Sequence, residues 1–222
     1  MDRISHVPEP APSEEYRSLF KLQDKVLQTI FSIESEFYLT GGTCLSRFYT
    51  AGRYSDDLDF FANDSARFAF AMRNIRNVLV DNCSLDIEVE TKNFQRLRVD
   101  DVLQIDFVND GPFRYKDPVV TRENYIIDTV ENILANKLTA VIGRDDPKDV
   151  FDIILIHTHY SVSWNEIIDA AHKKAGFSNE DLIIRLKSFP VELFNRIKCI
   201  DCGFLENYEG SMDEIITAIL EA

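Results

Sequence analysis

Asp57-Leu58-Asp59 sets two carboxylates two residues apart in a run, Asp57 to Ala62, that reads as a β-strand. Residues i and i+2 of a strand share a face, so both acids project together while Leu58 and Phe60 project into the core. Carboxylates about 6 to 7 Å apart at the Cα level repel unless a cation compensates, and Mg²⁺ or Mn²⁺ prefers such hard oxygens. A solvated strand end would need no cation, so the motif alone leaves both readings open. Upstream, Gly41-Gly42-Thr43 lies between a short strand-like run, Phe37 to Thr40, and a helical one. Glycines let backbone approach phosphate oxygens, and a helix start adds unbonded N–H groups and a positive dipole end. A plain turn is the alternative. Asp106, in Leu103-Gln104-Ile105-Asp106-Phe107-Val108, is a third acid inside an apolar strand. Its desolvation calls for compensation by a metal, unless it faces solvent beside Gln104.

The elements that must position these groups follow from periodicity. Leu19, Leu22, Val26, Ile30 and Ile33 recur at threes and fours, which predicts a helix from Glu15 to about Glu36. A short helix from Cys44 to Ala51, stopped by Gly52, precedes the Asp57 strand, and Phe68, Met72, Ile75 and Leu79 predict another from about Ser65 to Asp81. Three strands are expected at 85–91, 94–99 and 102–108, the first with Leu85, Ile87 and Val89 on a dry face. Beyond Thr121 the pattern is helical only, with segments at 123–142, 147–159, 163–175, 179–189 and 211–220. Asp146 before Pro147, Ser163 and Ser178 are the expected N-caps, and Gly176 a C-terminal stop. The expectation is an α+β domain over residues 1–120, preceded by a loose arm whose first dozen residues hold three Pro, and a helical domain over 121–222.

Composition limits the functions available. With 222 residues, 45% hydrophobic, 16 Phe and 8 Tyr, the chain can bury a substantial core and is not disordered. No apolar stretch approaches the roughly 20 residues of a membrane helix, and nothing reads as a leader, so a cytoplasmic protein with no membrane partner is expected. Four cysteines fit a reducing compartment, and Cys199-Ile-Asp-Cys202 is a CxxC without a second pair, expected as ordinary thiols. A net charge of −14 disfavours a broad nucleic-acid-binding surface, yet clustered aspartates are what a divalent-cation site requires.

A strand ending in Gly-Gly-Thr, a short helix, a strand with Asp57 and Asp59, and a later strand with a lone Asp resembles the DNA polymerase beta nucleotidyltransferase superfamily. More closely, the run Tyr38 to Tyr49 (YLTGGTCLSRFY) followed by Arg53 to Phe61 (RYSDDLDFF) resembles the AbiEii/AbiGii-type toxin nucleotidyltransferases. The resemblance extends through Asn132 to Ala140 (NILANKLTA) and Arg144 to Ile153 (RDDPKDVFDI), so it spans about residues 37 to 153.

It implies a nucleotidyltransferase mixed sheet with flanking helices, followed by a C-terminal helical domain. Asp57 and Asp59 would be metal ligands, with Asp106 or Asp152 as the third carboxylate. Gly41, Gly42, Thr43, Arg47, Lys137, Lys148 and Asp149 would surround the nucleotide, and Asp57, Asp59, Asp106, Lys137 and Asp152 would carry catalysis. Independently, Val130, Leu134, Lys137 and Val141 fall at steps of four, three and four, so the Lys137 ammonium on an apolar seam must snorkel or meet an anion, either triphosphate or the acidic cluster. Asp149 near a helix start also suits the helix dipole. The implied reaction moves a nucleoside monophosphate from a nucleoside triphosphate, with Mg²⁺ (or Mn²⁺), to an acceptor hydroxyl. RNA, at the 3′ end of tRNA, is the favoured acceptor, in a bacterial toxin acting beside an antitoxin protein. Transfer to an aminoglycoside-like small molecule or a protein, and a non-catalytic scaffold of the same fold, are the alternatives.

Overall fold

The computed structural model describes residues 13–222, so the proline-bearing arm lies outside the described residues. The described residues form two compact units: 13–49, 55–112 and 117–129 in one, and 50–54, 113–116 and 130–222 in the other.

The first unit is built on a seven-stranded mixed sheet of β1 (Tyr38–Thr40), β2 (Leu58–Asn63), β3 (Leu85–Glu90), β4 (Phe94–Val99), β5 (Leu103–Asp110), β6 (Val119–Val120) and β7 (Ile126–Ile127). Its order is β3-β4-β5-β2-β1-β7-β6, with β2 parallel to β5, β1 parallel to β7 and the other neighbours antiparallel. Alternation decides which face is dry. Leu58 and Phe60 of β2, Leu97 and Val99 of β4, and Ile105 and Phe107 of β5 are fully buried. Phe60 and Phe107 stack with centroids 5.1 Å apart, and Phe37 meets Phe107 edge-on at 5.1 Å. Helices α1 (Glu14–Ile33), α2 (Gly41–Phe48) and α3 (Phe68–Val80) complete the unit, α1 burying Phe20, Val26, Leu27 and Ile30 at helical spacing.

Three expectations for this unit are corrected. The dry face foreseen for β3 is absent: at the sheet edge, Ile87 and Val89 are 43% and 36% exposed. The short helix starts at Gly41 rather than Cys44 and ends at Phe48, four residues before Gly52. The helix foreseen from Glu123 begins only at Val130, and the residues before it form the β6–β7 hairpin. Tyr125-Ile126-Ile127 suits a strand, and the open edge of β1 takes it, pairing Leu39 with Ile127 and bonding the Asp128 N–H to the Leu39 carbonyl at 2.8 Å. Tertiary pairing overrides a helical period here.

The second unit is helical: α4 (Val130–Gly143), α5 (Pro147–His159), α6 (Trp164–Lys174), α7 (Asn179–Lys187) and α8 (Tyr208–Glu221), with 3₁₀ turns at Val191–Arg196 and Gly203–Asn207. Asp146 caps α5 through the Lys148 N–H, and Ser178 and Asp181 form a reciprocal capping box on α7. Ser163 precedes α6 without a side-chain cap bond. Gly52 serves packing: a Cβ there would come within 2.7 Å of Leu155 and 3.1 Å of Phe151, and its carbonyl accepts from the Ile200 and Asp201 N–H groups. Cys199 and Cys202, expected as separate thiols, are joined as a disulfide across a Cα–Cα distance of 6.1 Å, because the chain reverses between them.

Candidate active site

The first unit's site begins at the end of β1. Thr40 lies in register with Asp59 and donates its hydroxyl to the buried Asp128 carboxylate at 2.7 Å. The chain then turns at Gly41, whose φ of +72° lies in the left-handed region. A Cβ at Gly41 would collide with Asp59 Oδ2 and sit 3.2 Å from its Cγ, so glycine is demanded twice, by conformation and by the carboxylate's approach. From there α2 begins, with the first-turn N–H groups that no helical carbonyl can take. Thr43 donates its hydroxyl to the Asp57 carbonyl, and the Ser55 hydroxyl lies 3.4 Å from Asp57 Oδ1. The glycine turn, Asp57 and Asp59 therefore form one patch. Asp57 precedes β2 rather than lying in it, and both acids are half-buried.

Asp106 lies beside Asp59 in the parallel β2–β5 register and opposite Arg96 in the β4–β5 register. Arg96 grips both of its oxygens, Nε to Oδ1 and Nη2 to Oδ2, each at 2.7 Å. Gln104 lies 3.4 Å from Oδ2, and next along, Arg98 binds Glu88 at 2.8 Å. Hydrogen bonding to Asp106 outweighs desolvation and raises the Arg96 pKa further, with the Asp106, Glu88 and Asp57 charges adding to it.

The donors present suit one hard divalent cation on two carboxylates. Asp57 and Asp59 offer oxygen ligands beside a glycine whose missing Cβ leaves Asp59 room. Among the described residues no three His, Cys, Asp or Glu side chains are gathered as a metal cage, in keeping with the hold of Arg96 on Asp106.

Of the other residues singled out in the sequence, Arg47 belongs to the first unit and four belong to the second. Arg47, on the side of α2 facing α1, is buried, binds Asp24 at 2.6 Å and lies 4.9 Å over the Phe20 ring. Lys137, Lys148, Asp149 and Asp152 belong to the second unit. There Lys137 lies 2.9 Å from Asp149 and 2.8 Å from Asp152, so the acidic cluster meets its ammonium. Arg53 forks onto Asp152 at 2.8 and 2.7 Å, and Arg144 binds Asp149 at 2.7 and 3.0 Å. Burial pushes both carboxyls up, but the cations outweigh it and hold Asp152 and Asp149 below the usual carboxylate range. Burial lowers the Lys137 pKa, and the Asp152 and Asp149 charges more than offset it. Sequence reasoning missed Arg53 and Arg96 as partners; the alternation Phe94-Gln95-Arg96-Leu97-Arg98-Val99 carried a signal for the second.

A glycine turn opening a helix beside one acid just before a strand and one within it, on a mixed sheet with flanking helices, defines the nucleotidyltransferase class of fold. Comparisons agree. A family model described as nucleotidyl transferase AbiEii toxin, Type IV TA system, matches residues 26–217. JHP933 from Helicobacter pylori has the same fold, with a TM-score of 0.59 and 20% identity over 95% of this chain and 93% of that one. MenT4, a nucleotidyltransferase toxin from Mycobacterium tuberculosis H37Rv, aligns with a TM-score of 0.63 and 13% identity over 92% and 84% of the two chains. Among curated proteins no sequence matches. The chain belongs to the AbiEii family of nucleotidyltransferase toxins of type IV toxin–antitoxin systems. No helix among the described residues is long and apolar enough to cross a membrane.

Proposed function

We propose that the first unit binds a nucleoside triphosphate with Mg²⁺ and transfers its nucleoside monophosphate to an RNA hydroxyl, at the 3′ end of tRNA, as a toxin countered by an antitoxin. The approach of Asp59 to Gly41 carries this reading, because it sets the start of α2 beside both acids. The N–H groups of Gly42 and Thr43 would receive phosphate oxygens, and Asp57 and Asp59 would hold the cation against them. Bound there, Mg²⁺ would neutralise charge on the attacking and leaving oxygens. The acceptor oxygen forms a bond to the α-phosphorus, the bond to the bridging oxygen of the β-phosphate breaks, pyrophosphate departs and the hydroxyl proton passes to solvent. Arg96 takes both Asp106 oxygens and Arg53 both Asp152 oxygens, so neither acid is assigned as the base.

The test is incubation with each α-labelled nucleoside triphosphate, Mg²⁺ and total bacterial RNA. Label in a tRNA-sized band, lost with Asp59→Asn, is the expected result. Label only in protein or a small molecule would replace the acceptor, and full transfer by Asp59→Asn would overturn the assignment.

A further inference from the structure

Asp59, Asp106 and Arg96 stand side by side across β2, β5 and β4, on the sheet face opposite Phe60 and Phe107. An acid beside Asp59 is placed to be a third metal ligand, yet its oxygens are taken in an ion pair whose Arg96 and Asp106 side chains are 35% and 13% exposed. A guanidinium matches a carboxylate in two parallel hydrogen bonds and cannot be deprotonated, so it is a permanent cation at that position. Both strands are fixed by neighbours on each side, which holds the pair in register.

We propose that Arg96 is a positioning residue that sets the metal demand of the site: it withdraws Asp106 from the ligand set and supplies the positive charge that a further cation would otherwise bring there. This rests on the reading that Asp57 and Asp59 hold a divalent ion. The site then takes its cation on two carboxylates. Removing the arginine exposes a partly buried acid beside Asp59, and two adjacent carboxylates recruit a cation to offset their repulsion.

The experiment is Mn²⁺ titration of the full chain, followed by the electron paramagnetic resonance signal of free Mn²⁺, with far-UV circular dichroism to confirm folding. Arg96→Gln is expected to bind Mn²⁺ about tenfold more tightly than the unaltered protein, as a third carboxylate joins and a like charge leaves. Adding Asp106→Asn should return the affinity to its starting value. A purely structural arginine would give weaker binding on removal, so unchanged or weaker binding by folded Arg96→Gln overturns the proposal, as does tighter binding that survives Asp106→Asn. If Arg96→Gln does not fold, Arg96→Lys replaces it, with a smaller gain expected and no gain overturning. Binding by the unaltered protein that ignores Asp59→Asn would instead remove the two-carboxylate reading, a result separate from the Arg96 comparison.

Discussion

At the scale of single residues, the site depends on an absence. Gly41 has no Cβ, so the Asp59 carboxylate lies where a side-chain carbon would stand. Gly41→Ala must both hold alanine at positive φ and move that carboxylate. The backbone term alone costs about 1–2 kcal/mol, read as a lowered urea midpoint. Displacing the acid proposed to hold the cation by an ångström is expected to lower transfer roughly 100-fold. A variant that loses stability but keeps full transfer would show that Asp59 need not lie against the turn.

At the scale of elements, α4 and α5 are joined through charge as well as packing. Lys137 of α4 meets Asp149 and Asp152 of α5, and Arg53 closes on Asp152. Removing one partner of a buried pair leaves the other uncompensated, so Asp152→Asn is expected to cost about 3–5 kcal/mol in chemical denaturation. Both carboxyls have pKa values held below their ordinary range. Their stabilisation is therefore complete above the unfolded value of about 4 and is lost as pH falls through the depressed folded values. Stability should drop steeply below about pH 4, and Asp152→Asn should flatten that drop. Equal acid slopes in the two proteins would remove the cluster as the cause.

At the scale of the whole molecule, a net charge of −14 constrains how the proposed RNA acceptor could be bound. Several cations are already matched within the fold, Arg98 by Glu88, Arg76 by Glu90 and Arg185 by Asp145. With acids outnumbering bases, a broad basic surface is not expected. RNA affinity is expected to fall with salt with a log–log slope of about −2, as for two or three phosphate contacts. A filter-binding series in potassium chloride checks it, and a slope of about −6 would point to a broad basic surface instead.

The amino-acid order by itself determined what local rules can reach. Strand-like runs placed β2, β4 and β5, three-and-four spacing placed α1 and α3, Asp146-Pro147 placed the start of α5, and the acids and glycines of the site were visible as residue types at set spacings. Tertiary structure decided what depends on partners distant in the chain. Strand character at Ile126-Ile127 emerged only when the β1 edge was there to pair with, and the exposure of Ile87 and Val89 only when β3 proved to be the sheet edge. The companions of the charges were decided in the same way. Arg96 reaches Asp106 because the hairpin register puts them opposite, and a slip of one residue would have turned either side chain to the other face. Arg53 reaches Asp152 across 99 positions of sequence. Local spacing can show that a buried charge needs a partner, but the partner is chosen by packing between segments that no local pattern relates.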